Sequence, residues 1–200
     1  MKRSLKGNPI LFIGIFGPII SLLLVFLDIF LSPWFSWSSN ALSDLGVAKY
    51  GFIFNGSLIF EAIINTAIFL YIYGYYKSRI GFPMVIIAGI SLGLVGVFNE
   101  HYHPFHTIFA LIYFILFPLG IIFLAPSISN KRPYRISSIL IAILALIVIV
   151  TGVLISDGVI HVSGIGLAIP ETVEAALLVL WIVITFSFIY IGRGGKISRL

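Results

Sequence analysis

Apolar residues along this chain fall into six long blocks separated by short polar connections. The blocks cover about residues 10–32, 52–76, 80–99, 104–125, 136–156 and 170–191. Each is about 20 residues long, enough for an α-helix to cross about 30 Å of hydrocarbon. The pattern predicts an all-α, polytopic membrane protein: one domain over residues 1–200, built as a six-transmembrane-helix bundle. Lys2, Arg3 and Lys6 precede the first block, as bases precede the apolar core of a signal peptide. The block is too long for that core, and Pro33, Trp34 and Trp37 follow it where a small-x-small cleavage site would stand. An uncleaved anchor helix, bent at Pro18, is expected instead.

Composition narrows the class further. Hydrophobic residues make up 60% of the chain and charged residues 10%, with a mean hydropathy of +1.16. Soluble domains carry about 25% charged residues, so a soluble globule and a disordered tail are excluded. The chain has no cysteine, which removes disulfides, thiolate metal sites and iron–sulfur clusters. The net charge of +5 would point to nucleic acid in a soluble protein. Here the bases sit in short connections and form no patch, so the expected partner is the lipid bilayer and not nucleic acid.

The distribution of the bases predicts orientation. Eleven of the twelve Lys and Arg fall at the amino end, after the second and fourth blocks, or in the tail, and Lys49 alone falls opposite. Lys and Arg stay cytoplasmic in short loops, so both termini are expected in the cytoplasm of a multi-pass cell-membrane protein. Trp34, Trp37 and Tyr50 suit the outer interface, and Tyr71, Tyr73, Tyr75 and Tyr76 the inner one. Gly89, Gly93 and Gly96 make a strip of small residues against which another helix can pack closely.

The groups able to do chemistry collect on the other side. Asp44, Glu100, Asp157 and Glu171 lie in or beside the outer connections, with Asp28 and Glu174 near outer helix ends. All four histidines, His101, His103, His106 and His161, lie there too. In the segment Ser38 to Gly46, a short surface helix is expected, capped by Ser39 or Asn40 and ended by a left-handed Gly46. Its functional alternative is a lid that projects Ser43 and Asp44 between the helices. Pro104 is expected in the first turn of the fourth helix with His103 as its cap. The run from Glu100 to His106 places three histidines and a carboxylate within seven residues, a donor set suited to zinc or another divalent transition metal. Asp157 and His161, four residues apart, share a face if their segment is helical; the nearby glycines favour irregular backbone. Ser57, Glu61 and Asn65, spaced by four, make a polar stripe in the second block. Glu61 sits about nine residues in, about 13 Å deep at about 1.5 Å per residue. A carboxylate at that depth is a functional hypothesis by default. Pro170 opens the sixth helix, and Glu171 suits its positive end. Glu174 is expected to face the bundle or the headgroups.

The segments 39–46 with Phe54 and Asn55, 97–108 and 168–171, in this order, resemble an uncharacterised six-helix membrane family of prokaryotes, common in archaea and described as a domain of unknown function. The run Asn40-Ala41-Leu42-Ser43-Asp44-Leu45-Gly46 is the most specific part of the resemblance, which covers nearly the whole chain. The family pattern carries a proline where this chain has Asn99. In layout the chain is remotely similar to Frag/DRAM/Sfk-type membrane proteins. The resemblance implies a six-helix α-helical membrane protein and carries no activity with it.

Four functions remain open at this point. The first is an outward-facing intramembrane enzyme, a metal-assisted hydrolase or transferase acting on lipid. His101, His103, His106, His161 and Asp157 would then bind the metal, and Asp44, Glu61 and Glu100 would act as acids and bases. The second is a proton-coupled carrier using Glu61 and Asn65. The third is a non-catalytic subunit of a homo-oligomer or larger membrane complex. The fourth is a haem protein ligated by His106 and His161.

Overall fold

The computed structural model describes residues 5–192. Six α-helices make up most of it: α1 Ile10–Leu31, α2 Gly51–Tyr73, α3 Gly81–Val97, α4 Phe105–Ile128, α5 Arg132–Ser156 and α6 Ala168–Tyr190. Two short 3₁₀ helices, Leu42–Val47 and Glu100–Tyr102, lie in the connections, and there is no strand among the described residues. Lys2, Arg3, Arg193, Lys196 and Arg199, counted above among the bases of one side, lie outside the described residues.

Five helices (α1, α2, α4, α5 and α6) are long and apolar enough to cross a membrane. α3 is equally apolar but has 17 residues, about 26 Å of helix. The chain is a multi-pass helical membrane protein. Helix ends depart from the apolar blocks where a helix start is polar. α5 begins at Arg132, ahead of its block, because Pro133 fits the first turn, where a missing N–H costs nothing. α2 stops at Tyr73 and Gly74 caps it, while Tyr76 folds back into the core. Pro18 lies inside α1 on its buried side.

Each helix packs beside its neighbours in sequence, and α6 returns to α1, so the six close a ring. Directions alternate around it. The start of α1 meets the end of α6, where the Gly7 amide donates to the Tyr190 carbonyl at 2.9 Å. The start of α6 meets the segment after α1, where the Ala168 amide donates to Asn40 at 2.9 Å. One end of the ring therefore carries Lys6, Lys77, Arg79, Lys131, Arg132 and Arg135. The other carries Asp44, Glu100, Asp157, Glu171 and all four histidines. These are called the basic and acidic ends below.

The glycine strip of α3 faces α2, as close packing requires. A Cβ at Gly89 would lie 2.7 Å from Thr66 Oγ1, one at Gly93 3.1 Å from Ala62 Cβ, and one at Gly96 2.6 Å from the Asn55 carbonyl oxygen. From mid-depth toward the basic end the ring is filled by Phe69, Phe117, Trp181 and Phe186, all fully buried. Phe69 lies with its ring centre 6.0 Å from Phe117, 6.3 Å from Trp181 and 5.4 Å from Phe186. These four rings form an aromatic knot. Outward, side chains such as Phe30, Ile63, Leu140 and Ile147 are exposed, a surface suited to a lipid bilayer.

Candidate functional site

The connection between α1 and α2 folds inward over the acidic end. Its 3₁₀ helix buries Leu42, Ser43, Leu45 and Gly46. Neither Ser39 nor Asn40 caps it. Asp44 reaches back instead: its Oδ2 accepts from the Ala41 amide at 3.0 Å and from Asn40 Nδ2 at 2.8 Å. Asp44 therefore shapes its own loop. Gly46 is not left-handed, since the positive-φ glycines are Gly7, Gly158, Gly164 and Gly192. A glycine is needed there for space, because a Cβ would lie 2.6 Å from Asn55 Oδ1. The Gly46 carbonyl accepts from Asn55 Nδ2 at 2.8 Å and from Asn99 Nδ2 at 3.5 Å. The lid is also tied to α6, since the Leu42 amide donates to Glu171 Oε2 at 2.7 Å. Asp28, fully buried, accepts from the Phe54 amide in the first turn of α2 at 3.2 Å. These anchors hold a loop that sequence alone leaves floating.

Opposite the lid, the α3–α4 turn presents a pair. His106, in the first turn of α4 and 5% exposed, places Nδ1 2.8 Å from the Phe98 carbonyl oxygen and Nε2 3.2 Å from Glu100 Oε1. A carbonyl only accepts, so Nδ1 carries a hydrogen and the ring orientation is fixed. Nε2 then faces Glu100. The α4 cap is Pro104, one residue later than expected, and helix begins at Phe105.

Two cavities open on this group. One of about 120 Å³ is walled by Ser43, Glu100, His106 and Glu171 together with Ile149 and Val153 of α5. A second of about 70 Å³ shares Ser43, His106 and Glu171 and runs inward to Tyr113 and Glu61. Ser43 is buried, and no hydrogen bond engages its hydroxyl among the described residues.

Below the cavities, Ser57, Glu61 and Asn65 form the buried stripe that their spacing predicted. Asn65 Nδ2 donates to Glu61 Oε1 at 3.2 Å. Glu174 points into the bundle, fully buried, and both its carboxyl oxygens lack a partner among the described residues. Both acids lie within electrostatic reach of Tyr113. Nearer the basic end Tyr134 and Thr185 form a further buried polar pair, 3.0 Å apart.

The DUF998 family, described as a protein family of unknown function, matches residues 15–187. The chain belongs to this family. No curated protein and no solved structure matches it.

Within this DUF998 chain the acid–base candidates separate. Glu100 and Glu61 line the cavities, whereas Asp44 serves its loop. The expected metal set is not assembled. Among the described residues no three His, Cys, Asp or Glu side chains gather as a metal site needs. His101, His103, His161 and Asp157 are exposed, and His106 alone turns inward. Asp157 and His161 do not share a helical face, because α5 ends at Ser156 and residues 157–167 form no helix. Glu171 was legible only as a helix-end acid, and its bond to Leu42 spans 129 positions. Tyr113 gave one usable signal: it lies two helical turns after His106, on the same face.

Proposed function

We propose that this chain is an intramembrane hydrolase or transferase acting on the headgroup region of membrane lipids, with Glu100 and His106 as its acid–base pair. The supporting observation is the oriented pair itself: His106 Nδ1 is fixed on Phe98, and Nε2 faces Glu100 in a cavity that also holds Ser43. In hydrolysis, Glu100 takes a proton from water as the water oxygen bonds to an acyl carbon. The ester carbon–oxygen bond then breaks, and the leaving oxygen takes that proton. His106 holds Glu100 in place and shares the proton between the two steps. In transfer, an acceptor hydroxyl takes the place of water. The pair requires no metal for either route.

The topology that goes with this function is six spans with α3 as the short one. Both termini and the basic end are cytoplasmic, following the rule that Lys and Arg stay inside. The site then faces outward from the cell membrane.

The test is to reconstitute the protein in vesicles of phosphatidylglycerol and phosphatidylethanolamine and follow lysolipid and free fatty acid by mass spectrometry. General acid–base groups contribute about 10²–10⁴-fold, so Glu100→Gln and His106→Ala should lose that factor while folding normally. Wild-type protein that leaves these lipids unchanged, or a Glu100→Gln variant as active as wild type, would rule the function out.

A further inference from the structure

The cavity that holds Glu100 and His106 does not stop at the polar group. Its wall includes Leu111, Phe114, Ile149 and Val153. The same four side chains line a third space of about 140 Å³ between α4 and α5, together with Val150 and Leu154. Every residue lining that space is apolar. It lies on the outside of the ring, where Leu111 is 40% and Val150 51% exposed. The groove thus opens sideways toward lipid at one end and onto the acid–base pair at the other.

Depth matches as well. Residues 149–154 lie within about 10 Å of the end of α5 at about 1.5 Å per residue. That is the level at which a bilayer passes from headgroup to acyl chain. A free water-soluble substrate gains nothing from an apolar slot at this level. A lipid carrying an ester does, because its chain fits the slot while its carbonyl reaches the polar cavity.

We infer that the α4–α5 groove seats one acyl chain of a membrane glycerolipid, admitted laterally from the bilayer, with its ester carbonyl at Glu100 and His106. This rests on the function proposed above for the choice of ester, but seating of the chain is a binding event that needs no turnover. Val153, common to the groove and the polar cavity, is the gate position. A tryptophan there fills the junction, whereas a tryptophan at the lipid-facing Ile147 does not.

The probe is phosphatidylcholine with a diazirine close to the carbonyl of one chain, photolysed in vesicles with the full protein, followed by peptide mapping. Labelling is expected on α4 and α5 at Leu111, Ile149 and Val153. Val153→Trp should cut it about tenfold, the factor for loss of contact with about two methylenes, and Ile147→Trp should leave it unchanged. Equal labelling on the lipid-facing residues of α1 and α5, or groove labelling untouched by Val153→Trp, overturns the inference. Groove labelling without any lipid product supports the acyl site and removes the hydrolase function. Product formation with no groove labelling does the reverse.

Discussion

Glu171→Ala tests whether the lid is held as the geometry states. The wild-type carboxyl accepts from the Leu42 amide at 2.7 Å, and Glu171 and Leu42 are 9% and 7% exposed. Truncation removes that acceptor and leaves a buried N–H without its partner. An orphaned buried donor costs about 1–3 kcal/mol. A value of about 2 kcal/mol follows, or about 30-fold in the equilibrium for opening the lid. The effect should stay local, because Asp44 still caps the 3₁₀ helix and Asn55 still holds Gly46. Hydrogen exchange with mass spectrometry, in lipid nanodiscs, reads it directly: amides 42–47 should exchange about 30-fold faster in Glu171→Ala, and those of α3 should not change. Glu171→Gln keeps an acceptor oxygen and should recover most of the protection. Unchanged exchange over 42–47 in the alanine variant would refute the anchor, and faster exchange throughout the chain would show that Glu171 supports the bundle instead.

Three further substitutions probe packing and the buried acid. Gly96→Ala places a methyl 2.6 Å from the Asn55 carbonyl oxygen, which is backbone and cannot swing away. It should lower stability in detergent by about 1–3 kcal/mol, whereas Gly56→Ala, with open space around it, should be neutral or slightly stabilising in thermal unfolding. Glu174→Leu replaces a fully buried carboxyl whose two oxygens have no partner among the described residues, so the melting temperature should rise, by analogy with buried ionic groups whose apolar replacement gains about 1–4 kcal/mol; a fall would mean that the carboxyl is held by something bound beside it.

What the sequence could reveal followed from how local each signal is. Helix positions were legible because about 20 apolar residues can do little else in water or lipid. The strip of Gly89, Gly93 and Gly96 was legible as a close-packing face, although not that α2 supplies Asn55 and Thr66 against it. The buried stripe of Ser57, Glu61 and Asn65 followed from helical spacing alone. Other features depend on turn geometry that spacing does not fix. Asp44 turns back onto the Ala41 amide and Asn40, its neighbours in the same loop. Four histidines close in sequence or side looked like ligands, yet the turn after α3 points His101 and His103 to solvent and only His106 inward. Spacing within an irregular loop carries no facing information, which is why the metal set failed where the helical stripe succeeded.

The remaining choice, between chemistry and transport, turns on what lies beneath the site. A carrier must give its substrate or proton a way to the opposite end, by a path or by a rearrangement of packed elements. In this chain the cavity at His106 runs inward to Glu61, and nearer the basic end Phe69, Phe117, Trp181 and Phe186 pack together beside the buried Tyr134–Thr185 pair. Those four rings come from α2, α4 and α6 and touch one another. Opening a path would separate three helices and expose side chains that each hold on the order of 150–250 Å² when buried. An enzyme needs none of that, since its substrate arrives and leaves through the same half of the bilayer. The one-sided site and the sideways groove support the lipid chemistry proposed above, and proton uptake into vesicles that depends on Glu61 would count against it.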